Sequence, residues 1–209
     1  MPPELRADTG LDALTHAIES YVSVQANDFS QGLSLQAILL ILEHLPRAFA
    51  ENDPPAKEHM HYAATIAGVA FSNSANGICH TVADKVGMAF KLSHGRANAI
   101  ALPYVIKFNS TVVGNLFRTI AGALGYHSKD SRDAVEDLLR RISVVRSQLG
   151  VPGSYREAGI SESAYHSRLK EFTMKASTFP ATVLNPRKPT MEELEALFKA
   201  CYEGDYSLL

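Results

Sequence analysis

The stretch Ile78–Asn98 reads ICHTVADKVGMAFKLSHGRAN. It carries two histidines, His80 and His94, among small and apolar neighbours such as Ala83, Gly87, Ala97, Ala99 and Ile100. Small residues let helices approach closely, and an imidazole held in such company needs a partner. Far upstream, Asp12 and His16 in TGLDALTHAIESY have the same character. They are four residues apart, so a helix puts both on one face. We read Asp12, His16, His80 and His94 as meeting on one metal ion. A carboxylate with three neutral imidazoles suits Fe²⁺ or Zn²⁺ and leaves a position open for a substrate oxygen.

Each of the four also has a plainer reading. Asp12 completes a T-x-x-D helix cap begun at Thr9, and His16 is a histidine at the edge of the core. His80 is a satisfied core imidazole, and His94 a turn residue ahead of Gly95. A lone D-x-x-x-H is common and decides nothing; the weight lies in four such residues in small-residue surroundings. The remaining histidines, His44, His59, His61, His127 and His166, sit in polar or surface-like contexts and receive no role.

Working outward, helical periodicity dominates. Met1–Ala7, with its two prolines, reads as a linker, and Thr9 as the cap of a helix reaching about Val24. Leu35, Ile38, Leu39, Leu42 and Leu45 mark an amphipathic helix ending near Ala50. A polar loop over residues 51–55 leads to a helix over 56–73, rich in Ala and Gly and so expected to be central. The spacing predicts helices over 77–90 and from the Leu92–Gly95 turn to about 108, then an apolar stripe over 112–125. Further helices are expected over 133–148 and 162–176. FPATVLNPRKP (179–189) reads as extended, and a capping box of Thr190 and Glu193 opens the last helix. Neither alternating strands nor an internal repeat is found. The expected fold is all-α, a bundle of about seven to nine helices in a single domain.

Composition narrows the classes further. With 46% hydrophobic and 20% charged residues, the chain has the make-up of a globular domain. A formal net charge of −2 without a basic cluster speaks against nucleic acid or an anionic membrane as partner. Two cysteines, Cys79 and Cys201, fit a reducing cytoplasm better than a disulfide scaffold. No apolar run approaches the ~18 residues of a membrane span.

The motifs TGLDALTHAIESYVS, ATIAGVAFSN and ICHTVADKVG...SHGRANAIALPYVI resemble the C-terminal helical domain of the iron-dependent alcohol dehydrogenases. GVPGSYREAGI and LNPRKPTMEELEALFKACYEGDY are similar in particular to the end of bifunctional aldehyde-alcohol dehydrogenases. The resemblance implies the metal-binding half of a dehydroquinate synthase-like fold, with the metal on the residues matching Asp12, His16, His80 and His94. It implies Fe²⁺ (Zn²⁺ being the other candidate), a small alcohol or aldehyde substrate, and NAD(P) held jointly with a second domain. That N-terminal dinucleotide-binding domain is expected to be absent, because the 209 residues contain neither Val/Ile-rich strands nor a Gly-rich phosphate loop. The expected partners are therefore a nucleotide-binding domain or a second copy of the chain, and the expected activity of the chain alone is metal binding with little turnover.

One departure bears on the chemistry. The family usually has a further histidine one turn after the first histidine of the central motif; here Asp84 stands there. Asp84 is the candidate catalytic residue, as a proton relay, a fifth ligand or a source of excess negative charge. Its plain reading is a surface carboxylate paired with Lys85 or a nearby basic group. Two rival functions remain at this level: a non-catalytic helical assembly module, and an all-α metal-dependent phosphohydrolase. The second lacks its usual adjacent His-Asp doublet, since none of the eight histidines precedes an aspartate.

Overall fold

The computed structural model describes residues 1–50 and 53–209. Glu51 and Asn52, part of the expected polar loop, lie outside the described residues. Among those described there are nine α-helices and no strand, as the periodicity predicts.

Helix α1 (Pro3–Val22) begins earlier than expected. Pro3 occupies the first turn, where a missing N–H costs nothing and a fixed φ favours the helix, and Glu4 follows at the positive end of the dipole. The linker reading of Met1–Ala7 is thereby corrected. So is the capping reading of Thr9, which lies inside the helix with its hydroxyl donating to Leu5 O at 2.8 Å. Leu11, Leu14, Ile18 and Val22 are buried along one side.

Helices α2 (Asp28–Ala50) and α3 (Pro54–Ser72) pack against α1 and against each other. At 23 residues, with an 18-residue window of mean hydropathy 1.3, α2 has the length and composition of a membrane span. It is a core helix here, with Ile38, Ile41, Leu42 and Leu45 all buried in the common core. Helix α4 (Ile78–Phe90) ends on Lys91, whose left-handed φ of 57° turns the chain back on itself. Helix α5 (His94–Ala123) contains both expected segments, which meet at a kink where Val113 leaves helical geometry with φ −117° and ψ 26°.

The C-terminal third is built from α6 (Ser131–Gln148), α7 (Glu162–Ser177), α8 (Pro180–Val183) and α9 (Met191–Glu203). The capping box of Thr190 and Glu193 forms as read from the sequence. The FPATV segment, expected to be extended, makes one helical turn with Pro180 at its start. A single 3-10 turn, Tyr206–Leu208, follows α9.

Two glycines set the approach of the site-bearing helices. A Cβ on Gly95 would lie 2.1 Å from Asp8 O, so α5 crosses α1 at near backbone contact. A Cβ on Gly10 would lie 2.4 Å from Leu45 Cδ1, on the α2 side of the same helix. Gly87 in α4, where a Cβ would lie 3.4 Å from Ala97 Cβ, does the same for the contact between α4 and α5, so α1 and α4 converge on α5.

Candidate metal centre

The convergence places all four side chains singled out from the sequence in one cluster. Asp12 Oδ2 is 3.5 Å from His16 Nε2, and Asp12 Oδ1 is 3.9 Å from His80 Nε2 and 3.5 Å from His94 Nε2. The donor atoms of Asp12, His16 and His80 lie within 4.8 Å of one another, spacings that one ion can bridge. The His16 and His80 rings are 4.4 Å apart, and His94 stands 5.4 Å from His80. His80 is buried, while the His94 side chain is 47% exposed, so the cluster is closed on the α4 side and open at His94.

Every imidazole is held by its Nδ1 edge. His16 Nδ1 meets Asn76 Oδ1 at 3.0 Å, His80 Nδ1 meets Glu19 Oε2 at 2.6 Å, and His94 Nδ1 lies 3.2 Å from Asp84 Oδ1. With Nδ1 donating to an oxygen, a neutral imidazole keeps its lone pair on Nε2, the tautomer a metal needs. All three Nε2 atoms face Asp12. His80 Nε2 is buried and has no hydrogen-bond partner among the described residues. A buried polar nitrogen left open is costly unless something binds it, and this donor set fits a divalent transition metal.

The electrostatics follow from the same contacts. Burial acts to raise Asp12, but the hydrogen bond from His16 and the nearby imidazoles bring its carboxyl below the ordinary range. Burial likewise works to depress His16, and is outweighed by Asp12 and Asn76, which leave it raised. The Asp84 hydrogen bond raises His94, and the same bond holds Asp84 low.

Asp84 therefore faces the cluster. Of the two partners its plain reading allows, Lys85 is not used, since its Nζ sits 3.8 Å over the Phe179 ring, and a nearby basic group, His94, is. The cap and turn readings of Asp12 and His94 also fail, because Asp12 lies inside α1 and His94 opens α5 behind Ser93, the N-cap. His44, read as surface-like, is buried and stacked on His59 with centroids 4.2 Å apart, since it continues the buried face of α2 toward α3. A second group, Glu162, His166 and Glu203, lies on the surface, where Arg156 already pairs with Glu203.

Sequence reasoning missed several supporting residues. Glu19 is one turn beyond His16 and buried between Ile18 and Tyr21; a carboxylate in that apolar run was a usable signal. Asn98 Nδ2 bridges Asp12 Oδ1 at 2.9 Å and His94 Nε2 at 3.0 Å. Asp8 accepts from Ser93 Oγ and from Arg96 Nε, pinning the start of α5 to α1. Asn76 and Asn98 carry no pattern that would single them out from one sequence.

The chain is similar to known proteins along nearly its whole length. Residues 6–202 match the model of the Fe-containing alcohol dehydrogenase family, C-terminal part. The NADPH-dependent butanol dehydrogenase of Clostridium saccharobutylicum is 40% identical over 98% of this chain and 52% of its own length. The bifunctional aldehyde-alcohol dehydrogenase of Escherichia coli K12 is 38% identical over 99% of this chain and 25% of its own. Among solved structures, an iron-containing alcohol dehydrogenase from Thermococcus thioreducens superposes with a TM-score of 0.88 at 32% identity, over 98% of this chain and 52% of that one. A 1,3-propanediol oxidoreductase gives 0.90 at 33%, over 97% of this chain and 53% of that one. The chain thus spans from a quarter to about half the length of these relatives.

Proposed function

Because the chain belongs to the Fe-containing alcohol dehydrogenase family, whose C-terminal part it matches, we propose that it is the metal-holding half of an enzyme interconverting a primary alcohol and its aldehyde. The observation that carries this reading is the common orientation of three imidazoles, each tied at Nδ1 and each turning Nε2 toward Asp12. Asp12, His16, His80 and His94 would hold Fe²⁺, with Zn²⁺ as the alternative ion. The metal would supply Lewis acidity that makes an alcohol easier to deprotonate.

The chain's own residues do the rest of the positioning. Glu19 and Asn76 fix the two inner rings, and Asn98 keeps Asp12 and His94 together. The site opens where His94 and Asp84 are partly exposed, and there we place the substrate and the nicotinamide. In the oxidising direction the alcohol gives up its hydroxyl proton and a hydride, and the nicotinamide C4 takes the hydride, yielding aldehyde and NAD(P)H. Asp84 supports His94 and offers a solvent-accessible carboxylate for the departing proton. We place the nicotinamide on a companion dinucleotide-binding domain, in the same polypeptide or another, and expect association through the open side of the site. The buried free thiols of Cys79 and Cys201 support a reducing, cytoplasmic setting.

The test is a chimera joining this chain to the N-terminal half of the Clostridium saccharobutylicum butanol dehydrogenase. Loaded with Fe²⁺, it should oxidise NADPH with butyraldehyde, while the chain alone binds metal and turns over little. A folded chimera that holds both NADPH and iron yet shows no turnover would count against the proposal.

A further inference from the structure

The proposed centre requires an unprotonated Nε2 on His80, and nothing within α4 arranges this. Helix α4 starts at Ile78 behind Gly77, whose missing side chain leaves it without a cap of its own. The cap comes from α1 instead. Glu19 Oε1 accepts from Cys79 N at 2.6 Å, and Oε2 accepts from His80 N at 3.4 Å. Asn185 Oδ1 accepts from Ile78 N at 3.3 Å. Gly77 makes room for this, since a Cβ there would lie 2.8 Å from Glu19 Oε1.

The same carboxylate oxygen that caps His80 N lies 2.6 Å from His80 Nδ1. Glu19 is buried, with its side chain only 2% exposed, at the positive end of a helix that favours an anion. Its other two contacts, Cys79 N and His80 N, are N–H donors, so both carboxylate oxygens act as acceptors. The proton in the Glu19–His80 contact therefore belongs to Nδ1. Independently, Nε2 is the His80 atom that is buried, unpartnered and turned toward Asp12.

We propose that Glu19 is a positioning residue for the metal centre: it fixes the tautomer and the aim of His80 while docking the N-terminus of α4 onto α1. This rests on the metal reading above and deepens it. One carboxylate thereby ties the helix that carries Asp12 and His16 to the helix that carries His80.

Glu19→Gln separates this role from simple packing. The amide keeps the size and one oxygen, which can still accept from Cys79 N. Its NH₂ then takes the place of Oε2, gives up the longer 3.4 Å contact from His80 N, and donates to His80 Nδ1, which moves the ring proton to Nε2. The experiment records the ¹⁵N shifts of the His80 ring in the metal-free chain, assigned with His80→Ala, and titrates Zn²⁺ against a chromophoric chelator. Wild type should show Nδ1–H, and Glu19→Gln should show Nε2–H with helical content kept and Zn²⁺ affinity lowered roughly 10- to 100-fold. An Nε2–H tautomer in wild type, or wild-type Zn²⁺ affinity in a folded Glu19→Gln, overturns the proposal. Should the variant fail to fold, the wild-type tautomer alone decides. A wild type that binds no Zn²⁺ but shows Nδ1–H would sink the metal reading and leave the hold of Glu19 on the ring standing.

Discussion

Asp84 Oδ1 lies 3.2 Å from His94 Nδ1, on the opposite edge of the ring from the Nε2 that faces Asp12. The aspartate thus takes the outer position on the most exposed of the three imidazoles. The family resemblance places a histidine there, and a carboxylate holds His94 more firmly because it can only accept. Asp84→Ala should weaken metal binding about tenfold, as removal of such supports generally does. Asp84→Asn should lose less, since its amide oxygen can still accept from Nδ1. Chelator competition reads both; equal affinities in all three proteins would show that Asp84 has no hold on the ligand.

The backbone contact between α5 and α1 is the most sensitive point of the scaffold. At Gly95 a new Cβ meets Asp8 O at 2.1 Å and Asp12 Cβ at 3.2 Å, and a carbonyl cannot swing aside as a side chain does. Gly95→Ala should cost about 3 kcal/mol, a fall in Tm of roughly 10 °C, and should weaken metal binding by pushing His94 away from Asp12. Gly68→Ala is the control, because a Cβ there would meet nothing within 4 Å and the residue sits mid-helix. It should be neutral to mildly stabilising. Thermal melts that rank the two variants together would contradict the close crossing.

Acid should destabilise the fold through His44. Burial lowers its pKa below the ordinary histidine value, and its Nδ1 has no partner among the described residues. The unfolded chain then binds more protons than the folded one once pH drops below about 6.5. The neutral ring's contribution is complete above that value and is lost as pH falls toward the depressed folded pKa. In His44→Phe this loss is gone. Its Tm should change less than that of wild type between about pH 7.5 and 5.5, and parallel curves would rule His44 out as a source of the acid sensitivity.

Most of the bundle was legible because its signals are local. Leu194, Leu197 and Phe198 repeat at helical spacing behind Thr190 and Glu193, and the helix begins where that cap says. The meeting of Asp12, His16, His80 and His94 was legible for a different reason: His80 and His94 sit near residues too small and apolar to satisfy them. The errors fell where a local signal has two meanings. Prolines at 2 and 3 read as a linker but start α1, and Pro180 starts a turn of helix in a segment read as extended. The supports were hidden because they act across the chain. Glu19 reaches His80 61 positions away, and Asn76 reaches His16 60 positions away, with no periodicity to announce either.

The proposed function depends on Asp12, His16, His80 and His94 closing on one ion. The direct measurement is elemental analysis of anaerobically purified protein beside a His80→Ala/His94→Ala double variant. About one equivalent of iron or zinc per wild-type chain is predicted, with these four groups as its protein ligands, and none in the variant. A wild type that stays metal-free after reconstitution with Fe²⁺ or Zn²⁺, or a variant that retains the full equivalent, would contradict it.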